Sequence, residues 1–223
     1  MSLSLSPEIL AHIVPVRRLE ERRGHRSSGV ALLDAILGGG WPRAALAELR
    51  GRRSSGRTAI LYASLARSIE AGQTVALVDS GGALDPRCAE AAGIALPRLL
   101  WIRSEPDQAL KAADMVVGAG GFGMVALDLG DDRLRVPTAA WIRLKHGAEK
   151  QDTTILIATP APAAGSFATT TVEIASAKPE LLGKFGAPAL LAGLSAQATC
   201  LRGRNDDVEE RPSCAWLAFS HRG

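Results

Sequence analysis

From Ala45 onward, short continuous apolar runs alternate with stretches whose apolar residues recur every three or four positions. Ala45–Leu49, Thr74–Asp79, Leu99–Arg103, Met124–Leu129 and Thr153–Thr159 are compact runs of the kind found in strands buried on both faces. Between them, Thr58–Glu70 sets Leu61, Leu65 and Ile69 on one helical face, and Gly72 closes that helix. Pro86–Ala92, Asp107–Val117 and Pro137–Ala148 read as further helices. This alternation predicts an α/β fold: a parallel core sheet with helices on both faces. After Phe167 the helical spacing fades. Thr170–Ala175, Ser195–Leu201 and Cys214–Ser220 alternate in the manner of antiparallel strands, the last two flanking the polar loop RGRNDDVEERP.

The N-terminal end stands apart from that pattern. Ser6-Pro7-Glu8 is a helix-start signal, and the short apolar segment Ile9–Val14 that follows stops near Pro15. In Ser27–Pro42, Val30, Leu33 and Leu37 share a helical face that ends at Gly38–Gly40. The expected organisation is an N-terminal arm over 1–27, a core over 28–176, and a C-terminal strand extension of the same domain over 177–223.

Composition narrows the classes. With 223 residues, 47% hydrophobic and 22% charged, the chain can bury a core without disulfides or metals. Disorder, a collagen-like repeat and a disulfide scaffold are excluded for the chain as a whole. The opening MSLSLSPEIL lacks the basic and apolar regions of a secretory leader, and no apolar run reaches bilayer length. Cys88, Cys200 and Cys214 have no metal-type spacing and leave an odd thiol, which fits a reducing cytoplasm.

The net charge of +3 is unevenly spread: residues 1–57 hold ten Arg against five acids. The densest stretch, RRLEERRGHR, carries Arg17, Arg18, Arg22, Arg23 and Arg26, a candidate contact surface for phosphate backbones or an acidic partner. A solvated helix face laced with ion pairs explains the same run equally well.

The informative string is GRRSSGRT, Gly51 to Thr58, between an expected strand and an expected helix. Its spacing is that of a phosphate-binding loop, G-x-x-x-x-G-K-[ST], whose backbone N–H groups cradle an anion at a helix N-terminus. Gly51, Ser54, Ser55, Gly56, Arg57 and Thr58 are thus candidate nucleotide-binding residues. Arg57 stands where the motif has Lys, and a planar fork does not simply replace a point charge. Asp128, at the end of MVALDL, occupies the place of an Asp that would hold magnesium through water; an Asp at such a strand tip is also a common loop residue.

GVALLDAILGGGWPRAALAELRGRRSSGRT resembles the entry into the core of the RecA family, with its Gly-Gly-x-Pro, strand and Ser-Ser-Gly phosphate loop. VALVDSGGALDPRCAEAAGI is similar to that family's second strand and Ala-Leu-Asp-Pro helix start, here Ala83–Pro86. The likeness runs over Ser27–Ala175. It implies a RecA-like fold, and it exposes departures. Aligned on Ala83–Pro86, the glutamate that orients the attacking water falls on Gly81, which has no side chain. The polar Asn-Gln pair that senses the terminal phosphate is replaced by Thr159-Pro160. The two DNA-holding loops fall on Gly130–Val136 and Pro160–Ala168; both are short and the second has no basic residue.

With the phosphate Lys, catalytic Glu and DNA loops all altered, the fold is expected to serve binding rather than hydrolysis. Loss of a water-activating group alone costs on the order of a hundredfold in rate. Degenerate RecA-like chains of this length resemble the ImuA family of bacterial mutagenesis accessory proteins. That resemblance implies a place in damage-induced (SOS) translesion synthesis. The implied partner is ImuB, a catalytically dead Y-family polymerase relative, with RecA itself as a second, and any DNA contact indirect or weak and non-specific. No catalytic residue, no metal and no resident cofactor are expected, with ATP and magnesium weakly held if at all. Two alternatives stay open: an active ATP-dependent recombinase or ATPase with an atypical Arg loop, and a RecA-fold regulator similar to the SulA cell-division inhibitors. His12, His25, His146 and His221 lack partner spacing; Trp101, Trp141 and Cys88 are expected in structural roles.

Overall fold

The computed structural model describes residues 24–130, 136–182, 190–203 and 213–214. The expected helix over Ile9–Val14, and Arg17, Arg18, Arg22 and Arg23, lie outside them. In chain order the elements are β1 (His25–Arg26), α1 (Ala31–Ile36), β2 (Trp41–Pro42), β3 (Leu46–Gly51), α2 (Arg57–Glu70), β4 (Thr74–Asp79), α3 (Pro86–Ala91) and β5 (Leu99–Arg103). They continue as α4 (Ala109–Ala119), β6 (Phe122–Asp128), α5 (Thr138–Gln151), β7 (Thr154–Thr159), β8 (Thr170–Leu182), β9 (Leu190–Arg202) and β10 (Ser213–Cys214).

Among the described residues, eight strands form one sheet in the order β10-β9-β8-β3-β7-β6-β4-β5. All pairings from β8 to β5 are parallel, while β9 and β10 add antiparallel. The period-two alternation of side chains divides the core cleanly. Ala47, Leu49, Leu77, Met124 and Leu156 meet Leu33, Leu61 and Leu65 of α1 and α2 on one face. Leu46, Val78, Leu127 and Ile157 meet Val116, Trp141 and Leu144 of α4 and α5 on the other. The α/β architecture with helices on both faces is therefore present as the patterning predicts.

One strand runs against expectation. Thr170–Ala175 was expected to be antiparallel, but β8 lies parallel to β3, with Ala47 opposite Thr170, and is antiparallel only to β9. Because β7 and β8 flank β3 in the same direction, residues 160–169 must return the full strand length across the sheet. They do so without an α-helix, as a small-residue crossover with one 3-10 turn at Gly165–Phe167. Ala164 and Ala168 are buried in the α4/α5-side core and Phe167 packs against it. The stretch read as a shortened DNA loop is thus a crossover packed on the sheet. The boundary expected between 176 and 177 falls inside β8.

The described residues ahead of α1 are anchored as well. β1 pairs with β2, and Trp41 of β2 is fully buried, donating its indole N–H to Ser64 Oγ of α2 at 2.9 Å.

Candidate functional site

In a parallel sheet the loops that leave the strand C-termini converge, and a site forms where neighbouring loops diverge. Here the tips of β3, β4 and β6 enclose a cleft of about 560 Å³, lined by residues that include Arg52, Ser54, Thr58, Gly81, Asp128 and Gly130.

Its floor is the loop from Gly51 to α2. Gly56, the residue before the helix, is left-handed at φ 93°, and Ser54 is also left-handed at φ 61°. Such a turn aims successive backbone N–H groups inward. Ser55 is buried, and its Oγ accepts from Arg57 N at 3.3 Å. Gly51 is needed for a close approach: a β-carbon there would collide with Ser55 Oγ. Of the loop's candidate residues, Ser54, Gly56, Arg57 and Thr58 line the cleft, while Gly51 and Ser55 pack against each other.

Arg57 does something the sequence did not disclose. Its side chain, 8% exposed, folds back under the loop. Nη1 donates to Gly51 O at 2.7 Å and Nη2 to Gly130 O at 3.0 Å, with Nη2 also 3.8 Å from Asp128 Oδ1. Asp128 Oδ1 in turn accepts Gly130 N–H at 3.0 Å. The turn has the form of an anion nest, but a divalent cation bound directly to Asp128 does not fit these residues. It would sit against a buried guanidinium that already neutralises the carboxylate.

The β4 tip is equally fixed. Asp79, buried at the end of β4, accepts Ala83 N–H and Leu84 N–H, both at 3.1 Å, and the Trp101 indole N–H at 3.3 Å. Ser80 donates both N–H (3.0 Å) and hydroxyl (2.8 Å) to Asp128 O. Gly81 therefore lies against the β6 tip, where a β-carbon would be 2.9 Å from Gly130 Cα. Burial first, then the nearby Asp79 and Asp128 carboxylates, push the Tyr62 phenol on α2 up to about 12.

Sequence reasoning missed Asp79 and Glu48. Asp79 offered a signal, an acid closing an otherwise apolar strand. Glu48 offered a fainter one, an acid inside an apolar run. Glu48 is completely buried on β3 and holds the crossover: Oε1 accepts Ala163 N–H at 2.6 Å and Ala164 N–H at 3.2 Å, and Oε2 accepts Arg50 Nη2 at 2.7 Å. Trp101, expected in the core, is only half-buried on edge strand β5, with Arg103 stacked 4.3 Å from its ring centroid.

Arg26 does not line this cleft. Its guanidinium, 10% exposed, donates to Asp152 O at 2.8 Å, and Arg43 also bonds the Asp152 carboxylate. Among the described residues no cluster of His, Cys, Asp and Glu has the makings of a metal site. No described helix is long and apolar enough to cross a membrane.

Residues 17–134 match the RecA N-terminal domain family. The chain is 41% identical over 105 residues to the RecA proteins of Francisella tularensis subsp. novicida (strain U112) and subsp. tularensis (strain WY96-3418). Each alignment takes in 45% of this chain and 29% of the relative, so the matched part spans under a third of the length of those proteins. In three dimensions the fold is similar to a crystal structure of the RadB recombinase, with a TM-score of 0.61 and 16% identity, over 87% of this chain and 95% of that one.

Proposed function

The chain belongs to the RecA N-terminal domain family, and on that premise we propose that it is a non-hydrolysing accessory member of that family. It serves the bacterial DNA-damage response by supporting error-prone translesion synthesis through protein contacts, with an ImuB-like polymerase relative and with RecA as partners.

The observation that carries this reading is the contact between Gly81 and Gly130. Position 81, to which the resemblance assigns the family's water-orienting glutamate, lies against backbone, and a β-carbon there would be 2.9 Å from Gly130 Cα. A base needs a side chain within hydrogen-bond reach of the attacking water, and here even the first carbon lacks room. The pinned crossover at 160–169 supports the same reading. Its hydrogen bonds to Glu48 and its packing on the α4/α5-side core would have to break before it could gather round a DNA strand.

The test is hydrolysis of ATP with and without single-stranded DNA, run beside a pull-down with the ImuB-like protein and RecA. Background turnover with specific capture is expected; DNA-stimulated turnover overturns the reading.

One arrangement favours the second reading, an active ATPase with an Arg loop. Thr58 and Asp128 still line one cleft, as a magnesium-dependent site would require. The same hydrolysis assay decides between the two.

A further inference from the structure

We propose that Arg57 is the resident cation of this site. Its guanidinium clamps the phosphate loop to the tip of β6 and neutralises Asp128 in the place of a divalent metal. The loop is thereby fixed in one arrangement that needs neither metal nor nucleotide. This rests on the non-hydrolysing reading above and goes beyond it: an idle site could still open and close with ligand, whereas a clamped one does not.

The argument starts from geometry. Arg57 bonds a carbonyl at the start of its own loop and another 73 positions along the chain, at 2.7 and 3.0 Å. Two donors on a rigid planar fork reach the two acceptors from two nitrogens, whereas an ammonium must serve both from one. Charge gives the second strand of the argument. The guanidinium and the Asp128 carboxylate are both almost fully buried and 3.8 Å apart, and a buried ion is tolerated only with its partner in place. A divalent cation bound directly to Asp128 would compete with the guanidinium for the carboxylate, and displacing it would break both carbonyl bonds and strand a buried positive charge. The third strand is the neighbourhood. Gly130, which receives Arg57, is also the residue that Gly81 packs against, and Ser80 is bonded to the Asp128 carbonyl. One side chain therefore holds the tips of β3 and β6 together, and the β4 tip is tied to the same point.

The experiment uses the full chain. Melting temperature and amide hydrogen exchange over residues 52–58 are measured with magnesium alone, ATP alone, and both, at millimolar concentration. For wild type, the melting temperature is expected to stay within about a degree in all conditions, with unchanged exchange, since a ligand that does not bind adds no stability. Arg57→Ala and Asp128→Ala are each expected to lower the melting temperature by about 5 °C or more, the usual consequence of leaving one buried ion alone. The double variant should lose clearly less than the sum of the two, which is the mark of a coupled pair. Arg57→Lys should fall between wild type and Arg57→Ala. A rise of several degrees in wild type with magnesium and ATP together overturns the clamp. So do single variants that melt like wild type, or whose losses simply add. Should the variants fail to fold, the wild-type melting and exchange data alone decide. Magnesium-dependent ATP binding without turnover would sink this inference and leave the non-hydrolysing reading standing, while turnover would remove both.

Discussion

Gly81 and Gly130 touch backbone to backbone, so that a β-carbon on Gly81 would lie 2.9 Å from Gly130 Cα, and one on Gly130 would lie 3.1 Å from Gly81 Cα. Neither neighbour is a side-chain end that can swing away. Ser80 and Asp79 hold one backbone, and Arg57 and Asp128 hold the other. Gly81→Ala is therefore expected to destabilise by about 1–3 kcal/mol through overpacking, read by urea unfolding. Gly81→Glu should destabilise at least as much and yield no ATP hydrolysis. A well-folded Gly81→Glu protein with turnover would show that the two tips separate easily and that the missing base was the sole defect.

Arg57→Lys restores the motif's point charge and, alone, is expected to leave ATP turnover at background. The Gly81 position still has no side chain, and Thr159 at the β7 tip is buried with its hydroxyl given to Ala161 O at 2.8 Å. Catalytic groups that act as a unit do not recover one at a time. The measurement is phosphate release by the variant with single-stranded DNA present, and turnover well above wild type would point to a water-activating residue elsewhere in the cleft.

Much of the fold was legible because its signals are local. Thr74–Asp79 and Leu99–Arg103 have the bounds their apolar runs predict, and Gly72 closes its helix with a left-handed backbone. The strand–turn–helix around Gly51–Thr58 was legible for the same reason, since glycine spacing encodes the turn. What stayed hidden is whatever depends on long-range register. Nothing in Thr170–Ala175 distinguishes a strand parallel to β3 from an antiparallel one; the direction follows from a crossover whose small residues resemble a loop. Glu48 looked like an interruption in a strand, yet its partners sit 115 and 116 positions away. Arg57 was readable as a substitution, but its two carbonyl acceptors were not.

Glu48 carries a prediction of its own. Glu48→Ala removes the acceptor of two backbone N–H groups and leaves Arg50 without its carboxylate, with a cost of about 3–5 kcal/mol expected for a broken buried pair. Glu48→Gln keeps an oxygen for the Ala163 and Ala164 amides and should cost less. Faster hydrogen exchange over 160–169 in the Ala variant, with the rest of the chain near wild type, is the expected signature. Equal stability of all three proteins would show that the crossover is held by packing of Ala164, Phe167 and Ala168 alone.

Alkaline stability should report on Tyr62. Burial pushes its phenol up to about 12 against 10 ordinarily, so the folded state holds the proton more tightly. That contribution is complete below pH 10 and falls away as pH rises toward 12. Tyr62→Phe should flatten this part of the stability profile. As the chain has a single tyrosine, phenolate absorbance reads the titration directly in the wild type. A midpoint near 10 in the folded protein would contradict the burial described here.

The last prediction concerns DNA and partners. The protein is expected to form no cooperative filament on single-stranded DNA, because the segment after β7 is bound to Glu48 and packed on the sheet. Residual DNA binding should come from Arg17, Arg18, Arg22 and Arg23 and from Arg52 and Arg53 at the cleft. Arg26 is excluded because it is engaged with Asp152. Such binding should ignore sequence and fall steeply with salt. Specific contacts should be with protein, through the arm. The informative deletion removes residues 1–23, since cutting further would take away β1 and the Arg26–Asp152 link and confuse a lost interface with a damaged fold. Truncation after Ala175 is a poor probe, as it cuts β8 within its ladder to β9. Full-length and deleted proteins are compared by pull-down with the ImuB-like protein and with RecA. Loss of capture with an unchanged melting temperature is expected. Full capture by the deleted protein would move the interface onto the core, and salt-resistant filaments by electron microscopy would overturn the accessory role itself.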